Sequence, residues 1–90
     1  MEKDQRDIED VVAGIETKKD FEHFLRMLVQ EFRQGGEDWE NNSLERYLES
    51  LHGFAMDVAG YYRNMQIDVN PDEPSWRVFA DMLLAATIYE

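Results

Sequence analysis

The chain contains no cysteine, which excludes disulfides, thiolate metal sites and cysteine nucleophiles at once. Proline is scarce as well, with two residues that fall three positions apart, Pro71 and Pro74. No apolar run approaches the ~18 residues of a membrane-spanning helix. The charged start, Met1 to Asp7, has no apolar stretch like that of a signal peptide. Cytoplasmic residence is the expectation. Basic residues are few too: nine Lys and Arg stand against 20 Asp and Glu, a formal net charge of −11. A field of that sign repels phosphates and anionic headgroups, which argues against nucleic-acid and membrane partners.

What is present suffices for a packed core. The chain is 43% hydrophobic and 12% aromatic, which separates it from disordered acidic tails. Ninety residues make one small domain. No repeat, low-complexity tract or linker divides them, and residues 1–7 are expected to fray.

Four segments carry a helical period. Ile8, Val11, Val12 and Ile15 share one helix face, although a strand over Val11–Ile15 competes with that reading because Gly14 interrupts it. Thr17 and Asp20 form a capping pattern before the stripe Phe21, Phe24, Leu25, Leu28, Val29 and Phe32, and Gly35-Gly36 supplies a stop. These predict a helix over 18–34. Asn42 and Glu45 repeat the capping pattern ahead of Leu44, Tyr47, Leu48, Leu51, Phe54, Ala55, Val58, Tyr62 and Met65, predicting a helix over 43–65. After a polar turn, Pro74 suits a first helical position. The segment Trp76 to Tyr89 is apolar nearly all round, with Arg77 and Asp81 marking a narrow polar strip. Such a helix over 74–89 is either central to a bundle or half of a subunit interface. The expected fold is an all-α bundle of three longer helices and a short N-terminal one. Its core is expected around Phe24, Leu25, Leu28, Leu48, Leu51, Trp76, Phe79 and Leu83.

Candidate chemistry is thin. Asp20-x-x-His23 and Glu49-x-x-His52 have the spacing of di-iron ligands in helical bundles. The helical wheel, however, turns His23 away from its apolar stripe and leaves His52 at the margin of its own. Asp68-x-Asn70-x-Asp72 matches the start of an EF-hand loop, but Glu73 replaces the required Gly and Phe79 the bidentate Glu. Ser43, Ser50 and Ser75 suit helix starts and surface rather than a catalytic triad. No P-loop, nucleophile elbow, dinucleotide turn or zinc-protease motif occurs. No cofactor, metal or catalytic residue is assigned.

Two features suggest contacts instead. Glu37, Asp38 and Glu40 flank Trp39, an aromatic that either anchors a basic partner or folds back as a lid over a helix pair. Gly53 and Gly60, with Met56 between them, form a stripe of small residues opposite the apolar face of their helix. That groove admits the first helix, a second subunit or a partner chain.

The set Trp39-Glu40-Asn41, Leu44, Tyr47-Leu48-Glu49, Asn70-Pro71, Pro74-Ser75-Trp76, Phe79-Ala80, Ala85-Ala86 and Tyr89-Glu90 resembles a family of small acidic bacterial proteins of unknown function. The resemblance spans about residues 20–90 and leaves the first helical segment outside. It implies a bacterial source and a standalone protein, and it brings no activity or catalytic residues. The functional expectation is a non-enzymatic protein-interaction module whose acidic surface engages a basic partner, an immunity protein being one form. The alternative is a self-associating structural protein that uses the apolar last helix or the Gly53/Gly60 groove, as a monomer–homodimer system. A small metal-dependent enzyme is the third reading.

Overall fold

The caps explain where the helices begin. The computed structural model describes residues 5–35 and 39–89, which form α1 (Gln5–Ala13), α2 (Lys18–Gly35), α3 (Leu44–Met65) and α4 (Trp76–Ala85). The first segment is helical rather than extended, and the Gly14 N–H closes α1 on the Asp10 and Val11 carbonyls. Asp20 donates its N–H to Thr17 Oγ1 at 3.1 Å, while its carboxylate accepts the N–H groups of Glu16 and Thr17 at 2.9 and 3.2 Å. The expected capping pattern is therefore complete. Those two backbone donors, chiefly the one from Glu16, hold the Asp20 carboxyl below its ordinary value.

The next two helix starts fall later than expected, by one position at α3 and by two at α4. Ser43, not Asn42, caps α3, accepting the Arg46 N–H at 3.3 Å. Ser75 caps α4 through the Val78 N–H at 3.1 Å, which leaves Pro74 ahead of the cap instead of inside the helix. In both places a serine hydroxyl takes the N3 amide, a good N-cap acceptor. α3 ends on Gln66 in the left-handed conformation (φ 57°), with the Ile67 N–H bonded back to the Tyr62 carbonyl at 2.9 Å.

α4 occupies the centre. It packs against α1, α2 and α3, and α1 packs on α2 as well; among the described residues the α3 backbone does not come close to that of α1 or α2. Phe21 at the start of α2 meets Trp76 at the start of α4 with ring centroids 5.3 Å apart. Tyr47 near the start of α3 instead bonds the carbonyl of Leu83 near the end of α4, at 2.8 Å. So α2 and α4 run the same way and α3 runs against both. One core cluster (Ile8, Val12, Ile15, Phe24, Leu28, Ala80) fills the α1–α2 side of α4, and a second (Phe54, Val58, Tyr62, Val78) fills the α3 side.

This arrangement corrects the expected core. Phe24 and Leu28 are buried, and Leu51 and Leu83 are half-buried. Leu25 (37% exposed), Leu48 (52%), Trp76 (36%) and Phe79 (42%) are open to solvent. Their helical faces are the expected ones, but α2 and α3 rest on α4 without meeting, so side chains aimed at the gap are covered only in part. α4 is also shorter than the expected 74–89, because the turn after Ala85 is drawn onto Asn41 by contacts described below. No described helix is long and apolar enough to cross a membrane.

Candidate functional site

Three places on the molecule bring sequence-singled residues together. The first is the α2–α3 connection. Glu37 and Asp38 lie outside the described residues, as do residues 1–4, Gly36 and Glu90. Trp39 is half-buried, edge-on to Phe32 (5.0 Å) and stacked with Tyr47 (6.2 Å), so its ring bridges the ends of α2 and α3 as a lid. Glu40 beside it is exposed. Burial holds the Tyr47 phenol above its ordinary value, so it remains a donor to the Leu83 carbonyl across the neutral range.

The second place is a clasp around the C-terminal turn. Asn41, buried, donates through Nδ2 to the carbonyls of Ala86 (3.0 Å) and Tyr89 (2.8 Å), and through its backbone N–H to Thr87 (3.0 Å). Ser50, also buried, donates to the same Tyr89 carbonyl at 2.6 Å, where a surface role was expected. The Tyr89 ring lies against Gly53, where an added Cβ would stand 3.4 Å from Cε2, and its hydroxyl donates to Asp57. That hydrogen bond to a carboxylate raises the phenol's pKa. The small residue at 53 therefore admits Tyr89, not the first helix, whose backbone does not come close to that of α3. Gly60 faces only the tip of Arg63, and Met56 between the two glycines is 71% exposed.

The third place is a cleft of about 1120 Å³ between α1 and α3, over the polar strip of α4. Tyr62 donates to Asp81 Oδ2 at 2.5 Å, and Arg77 Nε donates to the same oxygen at 3.1 Å. Burial first, and then the bond to Asp81, push the Tyr62 phenol well above the ordinary tyrosine range. The three groups satisfy one another, and no buried side-chain polar atom among the described residues lacks a partner. Such a set holds α3 against α4.

The remaining candidates stay apart. His23 and His52 are both exposed, and the described residues contain no group of three or more His, Cys, Asp or Glu placed to hold a metal ion. The Asp68–Asp72 segment is a turn in which Asn70 Oδ1 accepts the Asp72 N–H at 3.0 Å. Sequence reasoning missed Asn41 in the clasp and, separately, the Tyr62–Asp81–Arg77 set. Only the i, i+4 spacing of Arg77 and Asp81 hinted at the second of these.

The geometry defines a small all-α domain with a central last helix, closed by a clasp on its C-terminal turn. Its sequence matches the family model described as "Family of unknown function (DUF7660)" over residues 17–90, and the chain belongs to that family. α1 lies ahead of the matched region. No curated protein and no solved structure matches the chain. Several residues of the resemblance have structural work here: Asn41 in the clasp, Tyr47 on Leu83, Ser75 capping α4 and Trp76 against Phe21.

Proposed function

We propose that this protein is a non-enzymatic interaction module, acting in a bacterial cytoplasm, whose acidic loops engage a basic protein partner. An immunity protein that masks a basic toxin surface is one concrete form. The observation that carries this reading is where the charge resides. Of the net −11, the four helices hold −2 and the segments between and outside them hold −9. Helix acids serve the fold in part, as Asp20 does at its cap and Asp81 against Tyr62 and Arg77. Glu40, Asp68, Asp72 and Glu73 sit exposed on the connections, free of such duties at their carboxylates. A charge placed on loops steers an oppositely charged surface and sets register at its rim.

The test compares the natural chain as bait with a variant carrying Glu37→Lys, Asp38→Lys and Glu40→Lys. The expected result is a basic protein retained from the native host at low salt, released at high salt and lost by the variant. If nothing basic is retained at low salt, or the variant retains it equally, the reading fails.

A further inference from the structure

The gap between α2 and α3 leaves a coherent surface. Leu25, Val29 and Phe32 of α2, Leu44 and Leu48 of α3, and Trp76 and Phe79 of α4 are all exposed large apolar side chains. Aromatic contacts close both ends: Phe21–Trp76–Phe79 at one, and Phe32–Trp39–Tyr47 at the other. With side chains of roughly 150–250 Å² each, these seven expose on the order of 600–700 Å², above the usual patch on a monomer. A standard interface takes about 800 Å² from each partner, so the face is of the right size to be one.

Its edges say what fits there. Among the four described helices α2 alone has a net positive charge, in a strongly acidic chain. Arg26 and Arg33 stand one turn either side of Val29, on the same ridge, and neither makes an ion pair among the described residues. A basic partner laid on this face would meet that edge. The α3 edge carries Glu45 and Glu49 instead, both exposed. The face is therefore positive along one side and negative along the other, which is self-complementary. A two-fold axis running along the gap lays α2 of one copy over α3 of the other. Arg33 and Glu45 lie at the same Trp39 end of their helices, so they meet in that arrangement, with Arg26 opposite Glu49.

We infer that the α2–α3 face is the interface of a two-fold homodimer, in which the basic edge of α2 pairs with the acidic edge of α3 of a second copy. This goes beyond the loop-mediated partner binding proposed above and does not depend on it. The test is sedimentation of the full chain over a concentration series, alongside Val29→Glu, Arg33→Glu, Glu45→Arg and the double variant R33E/E45R. The altered side chains are all exposed, and far-UV circular dichroism with thermal melting verifies that each variant folds.

The expected result is a reversible shift to twice 10.7 kDa. Val29→Glu should abolish it, each single charge reversal should weaken it at least ten-fold, and the double reversal should restore it to within about three-fold. A monomer at every concentration overturns the inference. So does a dimer indifferent to Val29→Glu, and so does a double variant no tighter than its parents. If Val29→Glu leaves the mass unchanged but releases a foreign protein, the face docks a partner and the homodimer is refuted.

Discussion

The cluster that α1 and α2 build on one side of α4 consists of apolar side chains alone, whereas the one α3 builds on the other side is bordered by hydrogen bonds. On the first side, Phe24, Ile8 and Val12 are held by area removed from water, a force without direction. On the second, Tyr62, Asp81 and Arg77 pin the α3–α4 contact near the C-terminal end of α3, and Asn41, Ser50 and Tyr89 pin it nearer the N-terminal end. Burial supplies adhesion on both sides, but only directional bonds select one register among several that bury similar area. α3 has a single helical neighbour, so it gains most from such selection.

The sharpest way to break the contrast is to empty the apolar side. Phe24→Ala should cost about 3–5 kcal/mol, because it removes the largest fully buried side chain from a cluster with no polar support. Thermal melting followed by circular dichroism reads the loss. Asn41→Ala attacks the directional side. It strips the side-chain donor from two carbonyls in a buried setting and should cost about 2–3 kcal/mol. At roughly 4–8 °C per kcal/mol for a domain of this size, the melting point should fall by about 10–20 °C. Faster amide exchange at Ile88 and Tyr89 would place the damage at the clasp.

Tyr62→Phe is milder, about 1–2 kcal/mol, since Asp81 keeps Arg77 while losing one donor. It also has a pH signature. The folded-state pKa of Tyr62 lies above its unfolded value of 10.0, so the unfolded chain sheds this proton first as pH rises. Stability is then unaffected by this group below about pH 10 and falls as the pH climbs beyond it. The Phe variant should show a shallower alkaline decline in urea titrations. The smallest expected effect concerns the two glycines of α3. Gly60→Ala should stabilise by about 0.5–1 kcal/mol, because the site opens onto solvent and the mobile tip of Arg63. Gly53→Ala should gain less, since its new methyl meets the Tyr89 ring. Equal gains would show that Tyr89 does not press on that site.

What was legible in the sequence follows the range of the interactions. The cap at Thr17 and the reach of α2 and α3 depend on residues three or four apart, and the spacing announced them. The apolar faces were legible too, because a helical wheel is local. Which of those faces would find a neighbour was not. Leu25 and Leu48 have core-like positions on their helices, yet contact between α2 and α3 was a condition no periodicity encodes. The clasp was hidden for the same reason: Asn41 meets Ala86 and Tyr89 across 45 and 48 residues. Trp39 stood between two readings; its ring packs on Phe32 and Tyr47 while Glu40 beside it stays in solvent.

The central place of α4 has a consequence for how the chain acquires its shape. In order of synthesis α4 follows the three helices it joins, and of the four helix pairings only α1 with α2 is possible before it exists. Until then α3 has no helical surface to lie on, and its buried face of Phe54, Val58 and Tyr62 stays wet. The α1–α2 pair can form without α4, but α3 finds its helical neighbour only in α4, which is the template joining the two sides of the domain.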